Sequence, residues 1–441
     1  MLPNQRDISL VSIMNKLSVG IDGLNLALPK GTGVATYART LANTIHKMNY
    51  GVDLLYGLDI PCDSPPALRE VQFFNNLADE KIVKSSSPFS LGWWRNLQQM
   101  KDWRSGEIFL SGRVETRGFE SHLPKNDRII NIRNIFKKAH RYYRKTGKFI
   151  EIEVKNPPEI MHWTYPLPIK LNQSINIYTL HDLVPLRLPQ TTLDNKSSYY
   201  NLIKDICSGQ GKICTVSESS RNEILSFFPE ASGRIHNAYQ TYDEDIHNHI
   251  KNENFNEVGR IFNIDRDGYF VFFGSLEPKK NIGRLIEAFL ASSSSRKLVI
   301  VGAMGWKNDK ELRFLQHGID TGRIIHTEYL PRYLLTSLLI NARGLLFPSL
   351  AEGFGLPALE ALVCGTPVIC SSEGGLPEVV GDAAMIVDAY DTNSIASGII
   401  KIDRDDTIYN NLKAKGPIQA ATYSPDRYAD RLKALYQDVL R

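Results

Sequence analysis

Between residues 269 and 370, short runs of β-branched, aromatic and aliphatic residues alternate with longer amphipathic segments. An alternation of this kind builds a parallel sheet covered by helices, and few other arrangements bury both periods at once. Residues 269–273, 297–301, 323–329, 345–348 and 367–370 read as strands, and 281–291, 311–318, 331–342 and 356–363 as the helices between them. The N-terminal half begins the same way, with a strand at 17–22 and a helix at 34–48, and resumes it at 175–179 and 213–216. Between them, residues 61–158 are rich in aromatic and charged side chains and do not resolve into regular units. A chain of 441 residues exceeds one ordinary core, so two domains are the simplest division. The polar, aperiodic stretch 242–259 reads as the linker, which gives domains 1–248 and 249–441. The last helix, 426–440, fits either domain.

Bulk properties exclude several function classes. A net charge of +4 spread over the chain gives no reason to expect nucleic acid as a partner. The five cysteines contain no C-x-x-C pair and leave one odd, which suggests neither a disulfide framework nor a zinc site, and fits a reducing compartment. No basic segment followed by a long apolar one opens the sequence, and no run of about 20 apolar residues occurs. The expectation is a cytoplasmic protein, with one qualification. Residues 128–148 place Ile132, Ile135, Phe136, Ala139 and Tyr143 near helical spacing among many Lys and Arg. That pattern reads equally as a basic amphipathic helix on an anionic membrane surface or as a solvated insertion packed on its domain.

The sharpest local signal is Pro348-Ser-Leu-Ala-Glu352-Gly353-Phe354-Gly355-Leu356-Pro357-Ala-Leu-Glu360, directly after a buried strand. A glycine-containing loop there exposes backbone N–H groups, and Pro357 suits the first turn of a helix whose N-terminus points into the loop, which makes an anion site. Ligands of open α/β sheets bind at the carboxyl ends of the strands, where this loop must lie. Glu352 precedes the helix and Glu360 lies about one turn inside it, so the two carboxylates can reach different parts of one elongated ligand.

The segment resembles the signature of glycosyltransferase family 4, retaining enzymes with a GT-B fold of two doubly wound Rossmann-like domains facing a central cleft. Other motifs agree in order. Phe273-Gly-Ser275-Leu-Glu-Pro-Lys279-Lys280-Asn281 resembles the family's phosphate-binding turn, Thr179-Leu-His181-Asp182 its sugar-contacting pair, and Val216-Ser217-Glu218-Ser its N-domain turn. Gly365-Thr-Pro367-Val and Leu376-Pro-Glu378-Val also match, and Gly31-Thr-Gly33-Val resembles the glycine loop that faces the donor phosphates. The resemblance implies that Glu360 binds the donor ribose, Glu352 holds hydroxyls of the transferred sugar, and Phe354 and Gly355 offer backbone N–H groups beside it. It implies that Lys280 neutralises the diphosphate as the glycosidic bond breaks, so that no metal or other cofactor is required. His181 would line the sugar pocket from the opposite domain. Two positions depart from the pattern: Ser275 stands where relatives often carry arginine, with Lys279 as the compensating cation, and Ala238 where many carry glycine.

The expected reaction is transfer of a hexose, mannose from GDP-mannose first and a UDP-hexose second, to a saccharide acceptor such as a lipid-linked glycan of polysaccharide assembly. A GT-B epimerase or hydrolase, or a silent nucleotide-sugar-binding partner, are the other classes. The first needs an additional acid or base near the anomeric carbon, and the second has no need of Lys280, Glu352, Glu360 and His181 together. Taken locally, His181 reads equally as a satisfied core or capping group, phosphate contact is modestly favoured over a helix-feeding turn for Gly31 and Gly33, and Ser217 and Glu378 are better explained as helix N-caps and first-turn acids than as catalytic groups. Three D-x-D triplets, at 243–245, 265–267 and 403–405, lie in polar stretches and read as chance rather than as a metal site.

Overall fold

The computed structural model describes residues 16–28, 33–78, 103–305 and 314–441. The chain divides into two compact units, one running to Tyr178 and the other from Thr179 to Val439. In the first unit, β1 (Ser18–Asp22) pairs in parallel with β2 (Gly51–Tyr56) on one side and β6 (Ile160–Trp163) on the other. β4 (Arg128–Ile132) follows β2, and β8 (Ile175–Leu180) follows β6. β3 (Ser105–Ile108) closes the edge antiparallel to β4, and β5 (Ile150–Ile152) pairs separately with β7 (Ile169–Leu171). The strand order therefore reverses direction at β1, as in a doubly wound sheet. The helix Gly33–Lys47 covers it with Ala35, Ala38, Leu41, Ala42 and Ile45, spacings that keep one helical face inward.

The stretch without a legible period holds the helix Pro66–Ala78, β3, β4 and the helix Ile135–Thr146, while 79–102 falls outside the described residues. The basic stretch 128–148 is therefore not one helix. Its first five residues are β4, and Asn134, in the left-handed conformation at φ 56°, turns the chain into the helix. Arg128 belongs to the strand, where it pairs with Asp53. The apolar stripe Ile135, Phe136, Ala139 and Tyr143 is buried in its own unit, and Lys137, Arg141, Arg144, Lys145 and Lys148 are exposed. Among the described residues no helix is long and apolar enough to cross a membrane.

In the second unit, β9 (Lys212–Thr215) pairs in parallel with β10 (Ile235–Asn237). A separate sheet joins β11 (Tyr269–Phe273), β12 (Lys297–Val301), β13 (Ile324–Thr327), β14 (Gly344–Phe347), β15 (Val368–Ser371) and β16 (Ala384–Val387) in the order β13-β12-β11-β14-β15-β16. Every pairing in it is parallel, and β11 and β14 are buried along their whole length. Continuous apolar runs such as YFVFF are what strands covered on both faces require. The segment 242–259 contains the helices Asp245–Lys251 and Phe255–Phe262 rather than a plain linker. The second helix buries Phe255, Val258 and Phe262, three residues whose spacing is diluted by the surrounding Asn, Asp and Glu. The division placed at 248/249 thus falls inside a helix. Strands change sheet between β10 and β11, whereas compactness divides the chain within β8. The last helix, Pro425–Val439, belongs to the second unit, where Asp438 lies 3.5 Å from the imidazole of His236 on β10.

Candidate active site at the strand-order switch

The order of the second sheet reverses between β11 and β14, and a crevice opens outside the carboxyl ends of strands at such a switch. The two segments leaving these strands are the ones the sequence singles out: Gly274–Asn281 after β11 and Pro348–Gly355 after β14. They are tied together. Leu350 N donates to Lys279 O at 2.8 Å, and the buried Asn281 amide donates to Pro348 O at 3.0 Å and to Ala389 O at 2.7 Å.

Pro278–Lys280 forms one 3-10 turn that directs both lysines into the site. Lys280 is 9% exposed, and its ammonium donates to Glu352 Oε1 at 2.6 Å and lies 4.8 Å from the centre of the Phe347 ring. A charge that deep requires a partner, and Glu352 supplies it. Lys279 Nζ lies 3.7 Å from Glu277 Oε1. Burial works to lower its pKa, but the negative charges of Asp182, Glu277 and Glu352 together outweigh it and hold the ammonium well above its ordinary range. Ser275, in place of an arginine, donates through Oγ to Glu277 Oε1 at 3.2 Å.

Gly355, at φ 107°, ends the loop and starts the helix Leu356–Val363, with Pro357 in its first turn. A side chain at Gly355 would collide with Leu376, its Cβ falling 2.5 Å from Leu376 Cδ2. The first N–H groups of a helix have no acceptor inside it, so this end of the loop is electropositive. Phe354 is 2% exposed and packs edge-on against Tyr423, which anchors the loop from below. Gly353 is the tightest point. A Cβ there would lie 2.3 Å from the carbonyl oxygen of His181, and its own carbonyl accepts from Ser217 Oγ at 2.6 Å. His181 and Asp182 therefore belong to the same compact unit as Glu352 and lie against its loop.

Ser217 caps the helix Glu218–Phe227 by accepting from Ser220 N at 3.0 Å. Glu378 sits in the first turn of the helix Leu376–Val380, yet its carboxylate accepts from Glu218 N at 2.9 Å and Ser219 N at 2.6 Å. Both residues are structural, as their sequence positions suggest. Of the six D-x-D carboxylates, Asp267, Asp403 and Asp405 have structural partners too: Asp267 accepts from Tyr409, Asp403 pairs with Arg296, and Asp405 caps the helix Asp406–Ala420. Gly31 lies outside the described residues. Gly33 is exposed at the start of its helix, and a Cβ added there would meet nothing within 4 Å.

Glu360, on the same helix as Leu356, is 3% exposed and is gripped by Arg332, whose Nη1 donates to Oε2 at 3.0 Å and whose Nη2 donates to Oε1. Sequence reasoning missed Arg332. It opens the helix Arg332–Ile340, 28 residues from its partner, and nothing local distinguishes it from a solvated arginine.

Comparison with known proteins gives the family and the fold. Residues 255–419 match the family described as glycosyl transferases group 1. The chain is similar to O-antigen chain mannosyltransferase B of Escherichia coli, with 31% identity over 58% of this chain and 68% of that one. It is also similar to the serotype-specific mannosyltransferase WbdA of Escherichia coli, 28% identical over 55% of this chain, but spans only 31% of that longer protein. Among solved structures, sucrose-phosphate synthase from Thermosynechococcus elongatus superposes with a TM-score of 0.64 at 17% identity, covering 96% of this chain and 99% of that one, a likeness of fold. By these likenesses the chain belongs to the group 1 glycosyltransferases and has their GT-B fold of two Rossmann-like domains.

Proposed function

We propose that the protein transfers mannose from GDP-mannose to a saccharide acceptor, a lipid-linked glycan of polysaccharide assembly, with retention of anomeric configuration and without a metal ion. The observation that carries this reading is the placement of Lys279, Lys280, Glu352 and Glu360 at the ends of β11 and β14, beside a helix N-terminus. The sugar and the pathway are suggested by relatives named as mannosyltransferases, one of them of the O-antigen chain.

The residues divide the work by charge. Two ammonium groups and a helix N-terminus together match a diphosphate, and their attraction grows as negative charge develops on the leaving oxygen. A diphosphate arriving at Lys280 competes with Glu352 for it, and so releases a buried carboxylate to accept hydrogen bonds from hydroxyls of the transferred sugar. Retention follows from front-face attack: the acceptor oxygen bonds to the anomeric carbon as the carbon–oxygen bond to phosphate breaks, and its proton passes to the departing phosphate oxygen. No side chain is assigned as nucleophile. The exposed basic face of the helix Ile135–Thr146 would hold the enzyme at an anionic bilayer carrying the acceptor.

The test is a thermal-shift panel of GDP, UDP, dTDP and ADP sugars in excess EDTA, because a ligand that binds the native state alone raises its apparent stability. A shift with GDP-mannose despite chelation is the expected result, followed by transfer to a lipid-linked acceptor with an α-linked product by NMR. A shift that requires Mg²⁺ or Mn²⁺ defeats the metal-free mechanism, and a shift with UDP sugars alone replaces the donor.

A further inference from the structure

We infer that Arg332 is a positioning residue for the donor ribose, fixing the plane of the Glu360 carboxylate that receives the ribose hydroxyls. The inference rests on the donor reading given above, in which Glu360 is the ribose ligand. A carboxylate offers about four lone-pair sites. The Arg332 fork occupies the inner lone pair on each oxygen, at 3.0 Å for Oε2, and leaves the outer ones, which point apart, so that either oxygen can accept one ribose hydroxyl. The final torsion of a glutamate side chain is broad and nearly two-fold, so a buried carboxylate without such a clamp has no single orientation. Two parallel N–H···O bonds remove that freedom, and lysine, a point charge, does not reproduce them.

The clamp is itself anchored. Pro331 precedes Arg332, Thr336 Oγ1 donates to Arg332 O at 3.0 Å, and the helix continues to Ile340. Glu360 stands on a different helix, Leu356–Val363, so the pair also fixes the segment following β13 relative to the segment following β14. The Arg332 side chain is 39% exposed while that of Glu360 is 5% exposed.

The test measures dissociation constants of GDP and 2′-deoxy-GDP, and of UDP and 2′-deoxy-UDP, by calorimetry on the full chain. Wild type is expected to prefer the ribonucleotide of its own base by about tenfold or more, the effect of one hydrogen bond to a charged group. Arg332→Met is expected to bring that ratio below about threefold while leaving affinity for inorganic pyrophosphate, a probe of the lysines alone, unchanged. Arg332→Lys, which keeps the charge opposite Glu360 and so protects the fold, is expected to lower the ratio at least threefold with an unchanged melting temperature. In a Glu360→Gln background, further substitution of Arg332 is expected to leave the ratio where it is, since the two act as one unit. A wild-type ratio retained by Arg332→Lys, or a further fall in the Glu360→Gln background, overturns the positioning role. A wild type with no ribose preference for either base instead overturns the assignment of Glu360 to the ribose, and the inference with it.

Discussion

Lys280 is nearly buried and holds Glu352 at 2.6 Å, whereas Glu360 is occupied by Arg332, so the two glutamates of the motif meet different cations. Their loss is expected to register in different kinetic constants. If Lys280 acts on the leaving group as proposed, Lys280→Ala is expected to lower kcat about 10²-fold with a smaller effect on donor KM. Glu360→Ala is expected to raise donor KM about tenfold or more with a smaller change in kcat. Initial-rate kinetics with varied donor separate the two, and equal losses in binding alone would contradict the division of roles. Gly353→Ala forces a methyl group to within 2.3 Å of His181 O, and is expected to cost about 2 kcal/mol or more in urea denaturation and to abolish transfer. An alanine tolerated there would mean that the segment 179–182 can withdraw from the loop. Glu352, Glu360, Lys279 and Lys280 were legible in the sequence because each sits in a contiguous motif joined to a strand end. Arg332 was not, because its role depends on a partner 28 residues away and on a contact that only helix packing creates.

β11, β12, β14 and β15 were legible because each is a short, largely apolar run, as in YFVFF and GLLF, whereas β13 also carries His326 and Thr327 and β16 goes unrecognised in the sequence. The helix Phe255–Phe262 was not legible, since its inward residues Phe255, Val258 and Phe262 span only eight positions within a polar stretch, and a fourth apolar residue, Ile261, faces out. The helix Ile135–Thr146 shows the converse. Its amphipathic pattern was visible, but the pattern alone does not distinguish a stripe that faces lipid from one that faces its own domain. Ile135, Phe136, Ala139 and Tyr143 are buried against protein, so any membrane contact must be electrostatic and made by the exposed Lys and Arg. Lys137→Glu/Arg141→Glu/Arg144→Glu is expected to abolish flotation with anionic vesicles, and wild-type binding is expected to weaken as salt rises. Flotation unaffected by the triple charge reversal would remove this helix as the attachment face.

At the scale of the whole molecule, stability is expected to carry a pH dependence from the first unit. Asp22, at the end of β1, is fully buried, and burial raises its pKa from 3.8 to about 6 even though Thr164 N and Leu24 N donate to it. A carboxyl group held above its unfolded pKa stabilises the fold while protonated: the contribution is complete below about pH 3.8 and is lost as pH rises through about 6. The difference corresponds to at most about 3 kcal/mol. Melting temperatures of wild type and Asp22→Asn between about pH 3.5 and 7 should therefore converge at the acid end and separate as pH rises from 3.8 through about 6, with the asparagine variant less sensitive to pH; parallel curves would reject the assignment. By itself the sequence determined the α/β class, the parallel C-terminal sheet and the two charged motifs that follow β11 and β14, because strand burial and loop chemistry are written in neighbouring residues. Only the tertiary structure decided that β11 and β14 lie side by side where the order reverses, that Lys280 meets Glu352, and that Arg332 clamps Glu360. Those pairings join residues 28 and 72 positions apart, and such contacts are set by how helices and strands pack rather than by any local pattern.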